Sequence, residues 1–259
     1  MRTDRLYSVG SVLLSALLLM SLVTLPVLLV SVGTVKAATD HVVISEFATR
    51  NGTNAWDEFV ELYNPTSSAV DISGWTLGYY NGTTWNDTYM FTAFPSGASI
   101  PAHGFYLWAD YHSGSGYVSP GSGPTPDYST SPGSGIADGA SGSARGIRLK
   151  DSSGNLIDKV VYEGSGNTSR SEAEGGLTAP APTPNGSSDG SKSTERKPGY
   201  LDPLGGNGTD TNNNAADFII RDTREPQNTS SPREPSLGVS VSISPSENSG
   251  SPETTLTYT

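Results

Sequence analysis

The chain has 259 residues, a formal net charge of −11 and no cysteine, and it is 34% hydrophobic with 30 glycines and 18 prolines. This composition is poor in helix formers and rich in turn residues, so it predicts many short strands around a modest core. The lack of cysteine excludes a disulfide framework and thiol chemistry. No lysine or arginine occurs between Asn51 and Ala144. Because phosphates are bound by such cations, we expect no nucleic-acid partner.

The N-terminal segment, residues 1–38, differs from the rest of the chain. Two arginines precede an uncharged apolar run over residues 11–33, and a small-residue cleavage site follows at Ala37 or Ala38. This pattern predicts a secretory signal peptide. The apolar run is long for such a peptide, so an uncleaved signal anchor is the alternative. Both interpretations place the chain from Asp40 onward outside the cytoplasm. Membrane attachment is expected only through this segment or through a C-terminal anchor that the sequence does not include.

Alternating apolar and polar residues predict a first group of strands. They are HVVISEFAT (41–49), DEFVELYN (57–64), AVDISGWTLGYY (69–80), YMFTAF (89–94) and FYLWADY (105–111). Asn64-Pro65 ends the second strand, because proline cannot donate to a strand ladder. In the third, the apolar positions change parity at Ser73-Gly74, which indicates a bulge or a tight bend.

The second half of the chain contains fewer strand patterns. Residues 113–144 are mostly Gly, Ser, Pro, Ala and Thr, and they predict a flexible surface insertion. GIRLKDSSGNLIDKVVYEG (146–164) predicts a β-hairpin. Short strands without a helical period predict an all-β, antiparallel sandwich or barrel over residues 41–232. Residues 233–259 contain a linker and two further strand patterns, which we expect to be the truncated start of a second, immunoglobulin-like β domain.

Six motifs occur in register along the chain. They are VVISEF (42–47), EFVELYNPTSSAVDISGWTL (58–77), SIPAHGFYLWAD (99–110), IRLKDSSGNLIDKVVY (147–162), STERKPG (193–199) and NNAADF (213–218). Together they resemble the lamin tail domain family, in its exported prokaryotic form. His103 stands where the family usually has glycine. The resemblance implies an immunoglobulin-like antiparallel β-sandwich without catalytic residues or a cofactor. Its structural signature would consist of Glu46, Glu61, Asn64, Gly74, Trp75, Arg196, Asp217 and Phe218.

Two of the carboxylates allow a second interpretation. Glu46 and Glu61 could face each other across neighbouring strands, at a separation that suits a glycosidase pair. The resemblance instead makes them structural charges, with Arg196 as their counter-ion, since a buried carboxylate needs a partner. It also makes Trp75 the buried anchor of the core.

A weak calcium pattern lies near the end of the predicted sandwich. Its oxygen ligands would be Asp210, Asn212, Asn214 and Asp217, at a spacing that resembles the start of a calcium loop. Ala215 occupies the position where such a loop needs glycine, and Arg221 occupies the position of its last glutamate. The family resemblance explains these residues without a metal. No histidine spacing is typical of a metal site either.

Surface chemistry is suggested by aromatic residues and by sequons. Tyr79, Tyr80, Trp85 and Tyr89 could form an exposed patch that stacks on glycans or contacts a protein. The alternative is that they pack under the long loops. Seven N-glycosylation sequons begin at Asn51, Asn81, Asn86, Asn167, Asn185, Asn207 and Asn228.

These observations lead to two functional hypotheses. The first is an exported, secreted or cell-surface module that is not an enzyme and that serves binding or architecture within a larger protein. Its partner would be a protein or a cell-envelope glycan. VSISPSENSGSPETTLTYT resembles the first strands of Ig-like repeats in S-layer-associated surface proteins, which fits this hypothesis. The alternative is an N-terminal accessory domain of an extracellular nuclease, phosphatase or protease.

Overall fold

The computed structural model describes residues 40–50, 56–91, 93–110, 124–130, 135–182, 192–197 and 207–234, together with the strands at 239–244 and 253–258. The predicted signal peptide or signal anchor lies outside these residues. Within the described part of the chain, no helix is long and apolar enough to cross a membrane.

The described residues form fourteen strands and almost no helix. The strands are β1 (Val43–Ala48), β2 (Phe59–Tyr63), β3 (Val70–Asp71), β4 (Thr76–Tyr80), β5 (Trp85–Asn86), β6 (Ser99–Ile100), β7 (Phe105–Asp110), β8 (Tyr128–Thr130), β9 (Arg145–Lys150), β10 (Leu156–Tyr162), β11 (Ser193–Arg196), β12 (Phe218–Arg221), β13 (Val239–Ser244) and β14 (Glu253–Tyr258). The helical elements are a 3₁₀ turn, Glu174–Gly176, and one short helix, α1 (Asn214–Asp217).

Two sheets enclose the main core. The larger has the order β12-β11-β1-β2-β7-β8, and the smaller has the order β10-β9-β4-β5. All neighbouring strands in them run antiparallel except β7 and β8, which run parallel. Apolar side chains from both sheets form one continuous core. This arrangement agrees with the predicted all-β, immunoglobulin-like sandwich.

The core contains a different tryptophan from the one predicted. Trp108 on β7 is fully buried, and it has the largest such side chain in the described residues. Trp75 lies between the turn at Gly74 and the start of β4, and its partly exposed ring packs against the core. Trp108, and not Trp75, is therefore the buried anchor.

The loop after β2 is organised by the buried side chain of Asn64. Its Nδ2 lies 2.8, 3.2 and 3.0 Å from the carbonyl oxygens of Ser68, Ile100 and Pro101. Its Oδ1 accepts hydrogen bonds from the backbone N–H and the hydroxyl of Thr66, at 3.0 and 2.8 Å. The predicted turn at Asn64-Pro65 is thus fastened to the loop that follows β6.

Replacing Asn64 with alanine is expected to lower the free energy of unfolding by roughly 2–3 kcal/mol, because buried carbonyl oxygens would lose their donor. Urea denaturation at neutral pH would measure the loss. Asn155→Ala is the control, since Asn155 lies in the exposed turn between β9 and β10 and bonds only to Asp151. Similar losses in the two variants would contradict a special role for Asn64.

Gly74 and His103 are among the turn positions with a left-handed backbone. Gly74 has φ 77° at the bend between β3 and β4, where the sequence predicts a bulge or bend. His103 has φ 52°, a conformation that favours glycine. This is the position at which the resemblance described above implies a glycine. The backbone there keeps the glycine-like conformation despite the histidine side chain.

Two predictions about the strands and loops are corrected. Residues 89–91, 93 and 94 form no strand, although Met90, Phe91 and Phe94 are buried in the core. The predicted flexible insertion also contains ordered parts. It supplies β8, which pairs with β7, and Ile136, which is only 1% exposed. A few apolar residues are enough to bind such a segment to a core that already exists.

The C-terminal strand patterns form a hairpin. Val239–Ser244 and Glu253–Tyr258 pair antiparallel as β13 and β14. The expectation that they begin a second domain remains a prediction.

Candidate functional site

Three glutamates lie side by side on the outer face of the larger sheet. Glu195 on β11, Glu46 on β1 and Glu61 on β2 are direct register partners on adjacent strands. Glu46 is 2% exposed and Glu61 is fully buried. The structure thus brings together Glu46 and Glu61, as both the structural and the glycosidase-like interpretations require.

A C-terminal segment, residues 222–234, which we call the strap, contacts this row. The backbone N–H of Glu225 donates to Oε1 of Glu46 at 3.3 Å. The backbone N–H of Gln227 donates to Oε2 of Glu61 at 2.5 Å. The strap therefore supplies main-chain donors where a hydrolase would need an open groove for its substrate.

Side chains hold both parts of the strap against the sheet. Near its start, Arg224 donates to the carbonyl oxygen of Asp57 at 3.3 Å and forms an ion pair with its carboxylate at 3.5 Å. Farther along, the hydroxyl of Thr229 donates to Asp127 at 2.5 Å. These contacts fix the strap on either side of the two buried glutamates.

The enclosed glutamates have unusual proton affinities. Burial raises the pKa of Glu46 to about 7. Burial, followed by repulsion from Glu46, raises the pKa of Glu61 well above its usual range. The hydroxyl of Ser45, next to a bulge in β1, donates to Oε1 of Glu61 at 2.5 Å. Raised pKa values often mark catalytic acids, but here they result from a closed, internally hydrogen-bonded arrangement.

Arg196, predicted as the counter-ion of Glu46 and Glu61, has a different partner. Its Nη2 donates to Oδ2 of Asp158 on β10 at 2.6 Å, and both side chains are almost completely buried. Successive side chains of a strand point to opposite faces. Because Glu195 faces the glutamate row, its neighbour Arg196 must face the other way. The predicted pairing is therefore corrected to Arg196–Asp158.

The guanidinium of Arg196 joins several elements. Nε donates to the carbonyl oxygen of Ile44 at 2.9 Å, and Nη1 donates to that of Thr209 at 3.0 Å. The ring of Phe218 lies 4.5 Å from its Cζ atom. Two signature residues, Arg196 and Phe218, are thus in direct contact.

The calcium candidates occupy the segment beside Arg196, but the carboxylate oxygens of Asp210 and Asp217 have other partners. Oδ1 of Asp210 accepts the backbone N–H of Asn212 at 2.9 Å. Asp217 accepts the N–H and hydroxyl of Thr211 at 2.8 and 2.6 Å. Asp210 and Asp217 both approach Nη1 of Arg196, at 3.5 and 3.9 Å, so a guanidinium occupies the point that these two carboxylates share.

Of the two asparagine candidates, Asn212 is exposed and Asn214 is built into the fold. Oδ1 of Asn214 accepts the backbone N–H of Val161 at 2.9 Å. Its Nδ2 donates to the carbonyl oxygen of Lys159 and to Oε2 of Glu174, at 3.0 Å each. The structure therefore does not unite the four predicted ligands. Across the described ranges, no group of three or more His, Cys, Asp and Glu side chains is arranged to hold a metal ion.

The predicted aromatic patch divides into two pairs. Tyr79 is 4% exposed and stacks on Tyr89 at 4.8 Å, so this pair belongs to the core region. Tyr80 and Trp85 are partly exposed, with ring centroids 5.1 Å apart. The guanidinium of Arg148 lies 4.7 Å from the Trp85 ring. Only Tyr80 and Trp85 remain as candidates for a surface contact.

An open groove with a volume of about 480 Å³ lies beside Tyr80. Its walls are the turn at 81–83, the turn at 142–144, and the side chains of Tyr80, Arg145 and Arg170. Most of these residues are polar or glycine. We call this feature the Arg145 groove, and neither of its arginines was singled out by the sequence analysis.

The sequons differ in accessibility. Three of their asparagines are exposed, namely Asn81, Asn86 and Asn167. Asn207 is 7% exposed, while Asn228 is partly buried and donates to the carbonyl oxygen of Thr125 at 2.8 Å. Asn51 and Asn185 lie outside the described residues. Glycosylation at any of these positions stays a prediction.

Asp158 is a further residue that the sequence analysis missed, although a signal was present. It shares strand parity with Val160 and Tyr162, whose side chains are fully buried in the core. An acid on the apolar face of a strand indicates a buried partner. The strap gave no comparable signal, because its contacts with Glu46 and Glu61 come from backbone N–H groups.

The comparison with known families agrees with this architecture. Residues 35–164 match the family model of the Lamin Tail Domain, over about half of the chain. The matched span includes β1 to β10, with Glu46, Glu61 and Asp158, and ends before Arg196 and the strap. No curated protein matches the chain. With this match and its all-β sandwich, the chain belongs to the Lamin Tail Domain family, whose members are non-catalytic, immunoglobulin-like domains.

Proposed function

We propose that the chain is an exported binding and architectural module at the cell surface, part of a larger protein, and not an enzyme. The observation that carries this proposal is the contrast between two regions. The buried acids Glu46 and Glu61 are covered by the strap, whereas the Arg145 groove is open and polar. Acids that a substrate cannot reach are structural residues, whereas an open polar groove can accept a ligand.

A third buried acid supports the same conclusion. Glu58 is 2% exposed and accepts the backbone N–H of Ile136 at 2.6 Å. A β-carbon added to Gly135 would lie 2.2 Å from its carboxylate oxygens. Burial raises the pKa of Glu58 well above its usual range. This carboxyl group is packed against backbone and leaves no room for a substrate atom beside it.

Export is supported by the N-terminal pattern. The apolar run over residues 11–33 follows two arginines and precedes small residues at a cleavage site. Three sequon asparagines are exposed, as a secreted glycoprotein would require.

We expect the purified full chain to bind one or more components of a panel of glycans and envelope proteins without converting them. Surface binding assays would measure capture, and product analysis would measure turnover of glycosides and phosphate esters. Heat-unfolded chain is the control for non-specific capture. Failure to bind any component would contradict the binding role. Turnover that disappears in a Glu61→Gln variant would contradict the non-enzymatic role.

A further inference from the structure

Arg145 is the first residue of β9 and lines the groove beside Tyr80. Its Nη1 donates to the carbonyl oxygen of its neighbour Ala144 at 2.8 Å. The side chain is partly exposed, so the rest of its guanidinium can reach a ligand. A guanidinium offers five donors in a planar fork.

The other arginines of the described sandwich are mostly neutralised. Six have a carboxylate partner, namely Arg50, Arg148, Arg170, Arg196, Arg221 and Arg224. Within the described ranges, only Arg145 and the exposed Arg233 form no such pair. Arg145 is the one of these two that lies in a groove. In a chain with a net charge of −11, an uncompensated cation at such a position indicates an anionic ligand.

Internal contacts hold the groove walls in place. Arg170 binds Glu163 through two hydrogen bonds of 2.7 and 2.8 Å. The same carboxylate accepts the backbone N–H of Gly142 at 2.6 Å, which fixes the turn at 142–144. A site whose walls are already ordered loses little entropy when it binds a ligand.

The opposite wall is supported in the same way. Tyr80 packs against Trp85, and the indole Nε1 of Trp85 donates to Glu172 at 2.8 Å. Oδ1 of Asn81 accepts the backbone N–H groups of Thr83 and Thr84 at 2.9 Å each, which stabilises the turn. The groove therefore combines one aromatic ring, two short polar turns and one unpaired guanidinium.

We propose that the Arg145 groove binds an acidic saccharide, specifically a uronic-acid unit of a polysaccharide. The sugar carboxylate pairs with Arg145, the hydroxyl groups bond to the two turns, and the ring packs near Tyr80. A peptide would need apolar pockets for its side chains, and these walls are mostly polar residues and glycine. Nucleic acid is disfavoured by the acidic net charge. The inference rests on the proposed function, since it names the ligand class of that module.

Isothermal titration of the full chain with tetragalacturonate would test the proposal. The protein is made in a host without N-glycosylation, because the sequon of Asn81 lies in the groove wall. We expect binding of the acid and no binding of its methyl ester. The ester keeps the sugar hydroxyl groups but has a neutral ester in place of each ionised carboxylate. Arg145→Gln should weaken binding roughly tenfold or more, and Arg145→Lys should weaken it less.

Two further variants distinguish binding in the groove from non-specific attraction of the anionic ligand to other cations of the protein. Arg221→Gln removes an exposed arginine from the other sheet and should leave tetragalacturonate binding unchanged. Thr83→Trp fills the groove without altering Arg145 and should abolish binding while thermal unfolding stays cooperative. Equal affinity of Arg145→Gln and the unaltered chain would overturn the inference.

The outcome also distinguishes this inference from the proposed function. If the chain binds neutral glycans or envelope proteins but not tetragalacturonate, the acidic-saccharide site is refuted and the binding module stands. If it binds nothing in either experiment, both are refuted.

Discussion

Arg196→Ala is expected to lower the free energy of unfolding by about 3–5 kcal/mol, because it leaves the carboxylate of Asp158 buried without its cation. Arg196 is fully buried and Asp158 is 2% exposed. The substitution also removes the donors to the carbonyl oxygens of Ile44 and Thr209. Such groups are costly to leave unpaired in an interior.

Asp158 explains why the loss should be large. Its Oδ2 accepts both the Arg196 guanidinium and the backbone N–H of Ile44, each at 2.6 Å. Burial raises the pKa of Asp158 in spite of the opposing charge of Arg196. The carboxylate thus connects β1, β10 and β11. Without Arg196, the backbone N–H groups of Ile44 and Lys159 and the charge of His41 would remain to stabilise it.

Urea denaturation followed by circular dichroism would measure the effect at neutral pH. Arg221→Ala is the matched control, because Arg221 pairs with Glu195 on the same sheet but its side chain is 44% exposed. Exposed pairs contribute up to about 1 kcal/mol. If Arg196→Ala were no more destabilising than Arg221→Ala, the buried pair would not be the main link between these strands.

The contrast between Glu195 and Arg196 also shows how far the sequence could predict this site. Alternation of side chains predicted the main strands and placed Glu46 beside Glu61. The predicted partner of Arg196 was wrong, because the pairing depends on which face of β11 packs against the smaller sheet. Adjacent residues face opposite ways, so Arg196 could not share the face of Glu195.

Long-range contacts account for the remaining differences. The Arg145 groove combines turns at 81–83 and 142–144, which are distant in sequence. In the low-complexity insertion, the hydroxyl of Thr130 accepts the indole N–H of the buried Trp108 at 2.8 Å. Composition alone cannot show that one threonine completes a core contact. A local pattern predicts a strand, but only the folded arrangement supplies its partners.

The two glutamates beneath the strap should make stability depend on pH. The pKa of Glu46 rises from its ordinary value of 4.5 to about 7 in the folded protein. The folded state therefore holds this proton more tightly than the unfolded chain does. The contribution of Glu46 is fully present below pH 4.5 and is lost as the pH rises toward 7. The raised pKa of Glu61 acts in the same direction.

For Glu46 alone, we expect the free energy of unfolding to fall by roughly 2–3 kcal/mol between about pH 5 and about pH 8. Glu46→Gln should remove this part of the slope, because glutamine resembles the protonated acid and stays neutral. Its side-chain carbonyl can still accept the N–H of Glu225. At the higher pH the variant should therefore be more stable than the unaltered chain.

Urea denaturation at several pH values would give the free energy of unfolding of each variant as a function of pH, and the slopes of these curves are compared. Burial also raises the pKa of Glu174 to about 8, so the difference between Glu46→Gln and the unaltered chain is the informative quantity. Asp222→Asn, which removes a carboxylate that is 91% exposed at the start of the strap, should keep the original slope. In the double variant Glu46→Gln,Glu61→Gln, the free energy of unfolding should depend less on pH than in either single variant.

A Glu46→Gln slope equal to that of the unaltered chain would mean that Glu46 is ionised beneath the strap at every pH tested. The strap would then be held by a carboxylate, and its backbone N–H groups would stabilise a charge instead of a neutral acid.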